Sequence, residues 1–259
     1  MTVPQQALPV DEWKAKLGIT TSDLIKPWKG GDPLIVVVWG PYSSGKTHFA
    51  FTASSLCPVF LFDFEHNTSE VARHPQFKDK LIVRQTYFVP VLGVTGWKQQ
   101  AEAQANKFRK DYYDALTLAT QQHVQCCFVI DSVTKVWELL RYAYVPIDDA
   151  GRTGSAWNYG FVNSLYQALF DEPRFKGHHF VGTCRTNNLW VDKRKTELLE
   201  ADWKEPETPF NASIILQADQ IDTGTHMTVK KCTPNLKLKG TDWREMTFTD
   251  LIGLVESYE

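Results

Sequence analysis

The 259-residue chain has little that would take it out of the ordinary globular class. It has five cysteines (Cys57, Cys126, Cys127, Cys184 and Cys232) and no CxxC pair. Most of them sit in apolar runs, which argues against zinc modules and disulfide frameworks and for reduced core thiols. No apolar run approaches the ~20 residues that span a bilayer, so no membrane partner is expected. Neither sign of charge dominates: 28 Lys and Arg stand against 30 Asp and Glu, a net charge of −2. That excludes a global basic field, and any nucleic-acid contact must come from a local patch. The opening MTVPQQALPVDEWK lacks the basic start and apolar stretch of a signal peptide. A reducing, cytoplasmic setting is the expectation. There is no internal repeat and no low-complexity segment.

What is present is an alternation of short apolar strands and helical stretches. Residues 1–30 carry Pro4, Pro9, Pro27 and lead into the Gly30-Gly31 pair; they read as an N-terminal arm. Residues 31–259 read as one domain. LIVVVW (34–39), PVFLFDFE (58–65), CCFVID (126–131) and HHFVGTC (178–184) are buried strands by composition. Helical patterns occupy 47–56, 95–121, 133–143 and 155–170. The third-and-fourth spacing of Trp97, Ala101, Ala105, Phe108, Tyr112, Leu116 and Ala119 marks one face of a long helix. ASIILQA (212–218) and THMTVKKC (225–232) look like a late antiparallel pair, and 248–257 a closing helix. This order predicts an α/β fold with a mostly parallel central sheet covered by helices on both faces.

The first strand ends in Gly40-Pro41-Tyr42-Ser43-Ser44-Gly45-Lys46-Thr47, followed by His48. It fits GxxxxGK[ST], the phosphate-binding loop, in its strand-before, helix-after context. Glycines let backbone N–H groups curl around an anion, and the next helix points its N-terminus at the same spot. Lys46 would reach the β- and γ-phosphates, and the Thr47 hydroxyl would ligate Mg²⁺. ATP and Mg²⁺ are therefore the expected ligands. Partner groups should lie at the ends of neighbouring strands. Asp131 ends CCFVID and could stand behind the metal through Thr47 and water; it or Ser132 could also simply cap the next helix. Glu65 ends VFLFDFE and could take a proton from the attacking water. Asp63, two residues earlier, could be a second polar ligand or a strand-end partner.

Three segments together resemble RecA-type recombinases. The family's loop reads Gly-Pro-Glu-Ser-Ser-Gly-Lys-Thr, and only Tyr42 departs from it here. Its Asp-Ala-Glu-His strand end resembles Asp63-Phe64-Glu65-His66, and its Val-Asp-Ser-Val resembles Ile130-Asp131-Ser132-Val133. The resemblance covers about residues 34–232 and rests on these motifs. In size the chain is similar to the short phage-encoded RecA-like nucleotide-binding proteins, some of which anneal single strands. It implies an ATPase with Glu65 as the water-activating carboxylate and Lys46 on phosphate, acting on single-stranded DNA. Two loops would touch DNA: 145–154, with Arg152, and 186–209, with Trp190, Lys193, Arg194 and Lys195. The second also carries six acidic residues and could equally be a charged hairpin or a protein-docking loop. Lys230 and Lys231 sit where family members reach the neighbouring subunit's γ-phosphate, which implies a homo-oligomer with ATP at its interface. The family's phosphate-sensing Gln is missing; Arg185 or Asn187 stands in its region. The adenine-side aromatic is missing too, with Arg73 or His74 nearby. A KaiC-like nucleotide switch that docks proteins, and more distantly a small-molecule kinase, remain alternatives.

Overall fold

The computed structural model describes residues 32–77, 80–152, 159–191, 194–203, 208–221 and 224–257. The expected arm, residues 1–30, lies outside them. In chain order the elements are β1 (Ile35–Trp39), α1 (Lys46–Thr52), β2 (Val59–Asp63), α2 (Thr68–Ala72), β3 (Ile82–Thr86), α3 (Trp97–Gln121), β4 (Cys127–Asp131) and α4 (Val133–Tyr144). Then come α5 (Gly160–Phe175), β5 (His179–Cys184), β6 (Thr186–Val191), β7 (Arg194–Ala201), α6 (Thr208–Asn211), β8 (Ile214–Ile221), β9 (Gly224–Cys232), β10 (Asp242–Arg244) and α7 (Phe248–Glu256).

Eight strands form one sheet in the order β10-β9-β8-β1-β5-β4-β2-β3. From β8 through β3 every pairing is parallel; β9 and β10 add antiparallel neighbours at one end. Strands β2, β4 and β5 are buried along their whole length. That is why they read as unbroken apolar runs rather than alternating ones. Their side chains still alternate between two cores. Ile35, Val37, Phe60, Phe62, Phe128 and Ile130 face α3, α4 and α5. Val36, Val38, Leu61, Val129 and Val181 face α1 and α7.

The α3 stripe is buried as its spacing requires, from Trp97 to Ala119. α5 runs past the expected end at Phe170, with Pro173 inside it. A proline lacks the N–H that the carbonyl four residues back would accept. Here the Leu169 carbonyl accepts instead from the Tyr112 hydroxyl of α3 at 2.6 Å. Two strands, β3 and the short β10, fall where no strand is expected. β3 is a half-exposed edge strand with a charged residue in its middle. β6 and β7 form a separate antiparallel hairpin, one of the forms open to the 186–209 segment. All five cysteines are free and buried. Among the described residues no helix is long and apolar enough to cross a membrane.

Because β1, β2, β4 and β5 run parallel, their last residues, Trp39, Asp63, Asp131 and Cys184, share one edge of the sheet. Aromatic packing beneath that edge anchors it. Phe108 is fully buried, with its ring 5.2 Å from Phe64, 5.4 Å from Tyr87 and 5.7 Å from Phe62. Phe108→Ala should lower the free energy of unfolding by about 3–5 kcal/mol. Urea titration should show this as a lower midpoint with an unchanged slope.

Candidate functional site

The loop after β1 needs its two glycines for different reasons. Gly40 leaves the sheet against β8, where a Cβ would lie 2.0 Å from the Ala218 carbonyl oxygen. Gly45 has a left-handed backbone (φ 84°), and a Cβ there would stand 2.7 Å from the Thr225 side chain. Ser43 is left-handed as well (φ 59°), so the chain curls tightly before α1 starts at Lys46. Ser44 is buried, while Tyr42 and His48 project outward. The Lys46 ammonium lies inside the curl, donating to the Gly40 carbonyl at 2.8 Å and the Pro41 carbonyl at 2.6 Å. Burial lowers its pKa against the opposing pull of Asp131.

Parallel register delivers the partners. Asp63 lies opposite Asp131 across β2 and β4, and Ile130 opposite Gly182 puts Thr183 beside Asp131. Asp131 is 3% exposed. Its carboxylate accepts from the Thr47 hydroxyl at 2.8 Å and from the Thr183 hydroxyl on its other oxygen. Burial pushes its pKa up to about 6, although both hydroxyl bonds pull it down.

Of the two roles open to Asp63, the structure assigns that of strand-end partner. Fully buried, it accepts from the Glu65 N–H at 3.0 Å, the His66 N–H at 2.7 Å and the Thr68 hydroxyl at 2.6 Å. Arg84 of β3 closes the set, with Nη2 at 2.7 Å and Nε at 3.1 Å. Asp63 thus builds the turn that carries Glu65. Glu65 itself accepts from the Ser132 hydroxyl at 2.8 Å and from Arg185, whose Nε lies at 2.6 Å and whose Nη2 bonds the second oxygen. Burial raises the Glu65 pKa, but Arg185 and Ser132 outweigh it and hold the group below the ordinary carboxylate range.

These groups line one cleft of about 630 Å³, with Ser44, Lys46 and Thr47 on one wall and Glu65, Asp131 and Arg185 on the others. Lysine, curled backbone and hydroxyls can hold a phosphate chain. A divalent cation fits beside Thr47 and Asp131, which offer the hard oxygens that Mg²⁺ prefers. Among the described residues no group of three or more His, Cys, Asp or Glu could hold a metal. A cation there would take its remaining ligands from water and bound phosphate.

Other expected residues stand apart. Asn187 donates to Asp202 at 2.6 Å and ties the base of the hairpin. Arg152 is ion-paired with Asp148 at 2.9 Å, on an exposed loop. Lys230 is exposed on β9, while the Lys231 ammonium donates to the carbonyls of Ala212 at 2.6 Å and Pro209 at 2.8 Å. Both lysines lie toward the start of β8, at the opposite edge of the sheet from the cleft. His74 packs edge-on against His48, 5.8 Å between centroids, beside the loop; Arg73 is exposed next to it. Lys193 and the side chains of Trp190, Arg194 and Lys195 lie outside the described residues. Sequence reasoning missed the contributions of Ser132, Thr183 and Arg84. Thr183 left a trace as a hydroxyl in an otherwise apolar strand beside Asp131; Arg84 left none.

No family model matches the sequence, and no curated protein does. Among solved structures, an ATPase from the type III secretion system of pathogenic bacteria is similar at a TM-score of 0.49 and 12% identity. The alignment covers 74% of this chain and 53% of that one.

The environment of Asp131 gives a test that needs no ligand. Burial has raised its carboxyl from an ordinary 3.8 to about 6. Its favourable contribution to the fold is therefore complete below pH 3.8 and is lost as pH rises through 6. Asp131→Asn removes the disfavoured charge and keeps hydrogen-bonding groups for both threonines. Its thermal midpoint should equal or exceed the parent's above pH 6 and lose that advantage toward pH 4. A lower midpoint at high pH would show the carboxylate to be a net support of the fold.

Proposed function

We propose that this chain is a P-loop ATPase that binds Mg²⁺–ATP on the Gly40–Thr47 loop and hydrolyses it. One observation carries the reading. The Thr47 hydroxyl and the Asp131 carboxylate, 84 residues apart in sequence, meet at 2.8 Å beside the half-buried Lys46. A hydroxyl and a carboxylate beside an ammonium are the groups that a Mg²⁺–phosphate ligand calls for.

Mg²⁺ held there would add positive charge to the phosphates and act as a Lewis acid on their oxygens. The chain does the rest. Lys46 turns from the Gly40 and Pro41 carbonyls to phosphate oxygens, and the loop's N–H groups cradle the same chain. Thr47 and Asp131 are the residues that would hold the cation. Glu65 takes the proton of the attacking water as that water's oxygen bonds to phosphorus and the bridging P–O bond breaks. Asp63 and Arg84 hold the Glu65 turn.

The finer reading is a RecA-like protein acting on single-stranded DNA in recombination, annealing, replication or repair. Three motif segments in RecA-type order support it. So does the β6–β7 hairpin, which leaves the cleft wall at Thr186 and pairs Trp190 with Lys195 and Val191 with Arg194. Cations with an aromatic are the combination that single strands engage. In a homo-oligomer, exposed Lys230 is the residue left to reach a neighbour's ATP, since Lys231 is bound to its own chain. A second reading, a nucleotide-controlled protein-docking switch, is favoured by Leu198 and Leu199 standing exposed on β7 at 64% and 45%.

Calorimetric titration with a non-hydrolysable ATP analogue and a turnover assay test these readings together. Lys46→Ala should weaken binding by about tenfold or more, the scale of a lost charged hydrogen bond. Glu65→Gln should keep binding and lose turnover by roughly 10²–10⁴. Unchanged affinity and turnover in Lys46→Ala would sink the nucleotide site. Stimulation of turnover by a single-stranded oligonucleotide, weakening with added salt, supports the DNA reading; indifference to it favours the switch.

A further inference from the structure

Glu65, as it stands, is a poor base. Three hydrogen bonds reach it: Ser132 and Arg185 Nε on one oxygen, Arg185 Nη2 on the other. A forked guanidinium on a carboxylate is among the stronger charge-assisted pairs. The carboxylate side chain is only 17% exposed, so water does little to loosen it. To accept a proton, Glu65 must lose Arg185. The pair sits inside the same cleft as Lys46, Ser44 and Thr47, so the competitor best placed to take the guanidinium is an anion bound there.

Arg185 is also the neck of the hairpin. It lies between the end of β5 and the start of β6. Its N–H donates to the Thr134 hydroxyl at 3.2 Å, and its carbonyl accepts from the Asp202 N–H at 2.8 Å. Asp202 is in turn tied to Asn187 at 2.6 Å and to the Thr134 hydroxyl at 3.4 Å. Thr134 is in the first turn of α4, two residues after Ser132, which holds Glu65. The base, its guanidinium, the hairpin neck and the start of α4 form one closed ring of bonds.

We propose that Arg185 is a latch that exchanges Glu65 for the terminal phosphate of a bound nucleoside triphosphate, freeing the base and loosening the hairpin neck in the same movement. The proposal rests on the nucleotide-binding reading above. A diphosphate lacks the terminal group and leaves the latch closed, so the hairpin distinguishes triphosphate from diphosphate. Two discrete pairings of one guanidinium give the bistable element that such a device requires.

Amide hydrogen exchange over 186–191 and 194–201 reads the latch without any turnover. It is measured on the full chain with no nucleotide, with Mg²⁺–ADP and with Mg²⁺ and a non-hydrolysable ATP analogue, alongside calorimetric affinities for both. In the parent, exchange in the hairpin should rise several-fold with the analogue and stay unchanged with ADP. Arg185→Ala should show raised exchange without nucleotide, no further response, and an analogue-over-ADP preference reduced by about tenfold, the scale of a lost charged hydrogen bond. The Arg185 side chain is 45% exposed, so the fold should tolerate its loss. Glu65→Gln should also loosen the hairpin without nucleotide, yet keep the preference for the analogue, because its arginine is free to meet the phosphate. Analogue bound with no change in the parent's hairpin overturns the latch alone. So does an Arg185→Ala variant that keeps the parent's preference. Failure of the parent to bind either nucleotide overturns the nucleotide reading and the latch with it.

Discussion

Asp131 is held between two threonine hydroxyls at a depth where water scarcely reaches it, and much of the cleft is arranged around that carboxylate. A charge in such a place is costly unless something answers it. The hydroxyls soften the cost but do not cancel it, which is why its proton affinity is raised. The resulting site is short of positive charge at one point, next to a loop that carries a half-buried lysine. Under the proposed function, a bound cation would gain from this arrangement what the fold gives up without it. Local destabilisation kept for a ligand is common where function and stability compete.

Three carboxylates end or follow two neighbouring strands, yet their surroundings give them different work. Asp63 is saturated by two backbone N–H groups, a hydroxyl and a guanidinium, leaving it little to offer a ligand. Asp131 meets hydroxyls that can turn toward a metal. Glu65 meets a single cation that can leave. Carboxylates placed close together and sorted by environment are a recurrent way to divide chemical roles at one pH. Each of the three depends on the parallel register of β2, β4 and β5, and a slip of one residue would send these side chains to the wrong face.

The rigidity beneath the site comes from aromatic packing. Phe62, Phe64, Tyr87, Phe108 and Tyr112 make ring contacts between the sheet and α3. This layer fixes the strand ends from below, while the hairpin above is joined to them through Arg185 and a small set of polar bonds. Motion is therefore easier above the cleft than below it, since polar bonds at a partly exposed neck open at lower cost than a buried aromatic layer.

The sequence by itself determined the parts that are local. Glycine spacing and the lysine and threonine that follow mark the loop, because a curled backbone needs glycine within a few residues of the groups it serves. Unbroken apolar runs mark β1, β2, β4 and β5, and three-and-four spacing marks α3, because burial on two faces or on one stripe writes its own period. Candidate residues Lys46, Thr47, Asp131 and Glu65 were legible as strand-end or loop-end chemistry, and they do meet in one cleft. Tertiary structure alone decided which groups pair. Arg84 reaches Asp63 from an edge strand too polar to stand out, and Thr183 reaches Asp131 through inter-strand register. Arg185 closes on Glu65 across 120 residues, and Lys231 turns to its own chain's carbonyls. Such pairings depend on the packing of distant segments and on competition among polar groups for a few buried partners. Neither leaves a period in the chain, so only the folded arrangement shows them.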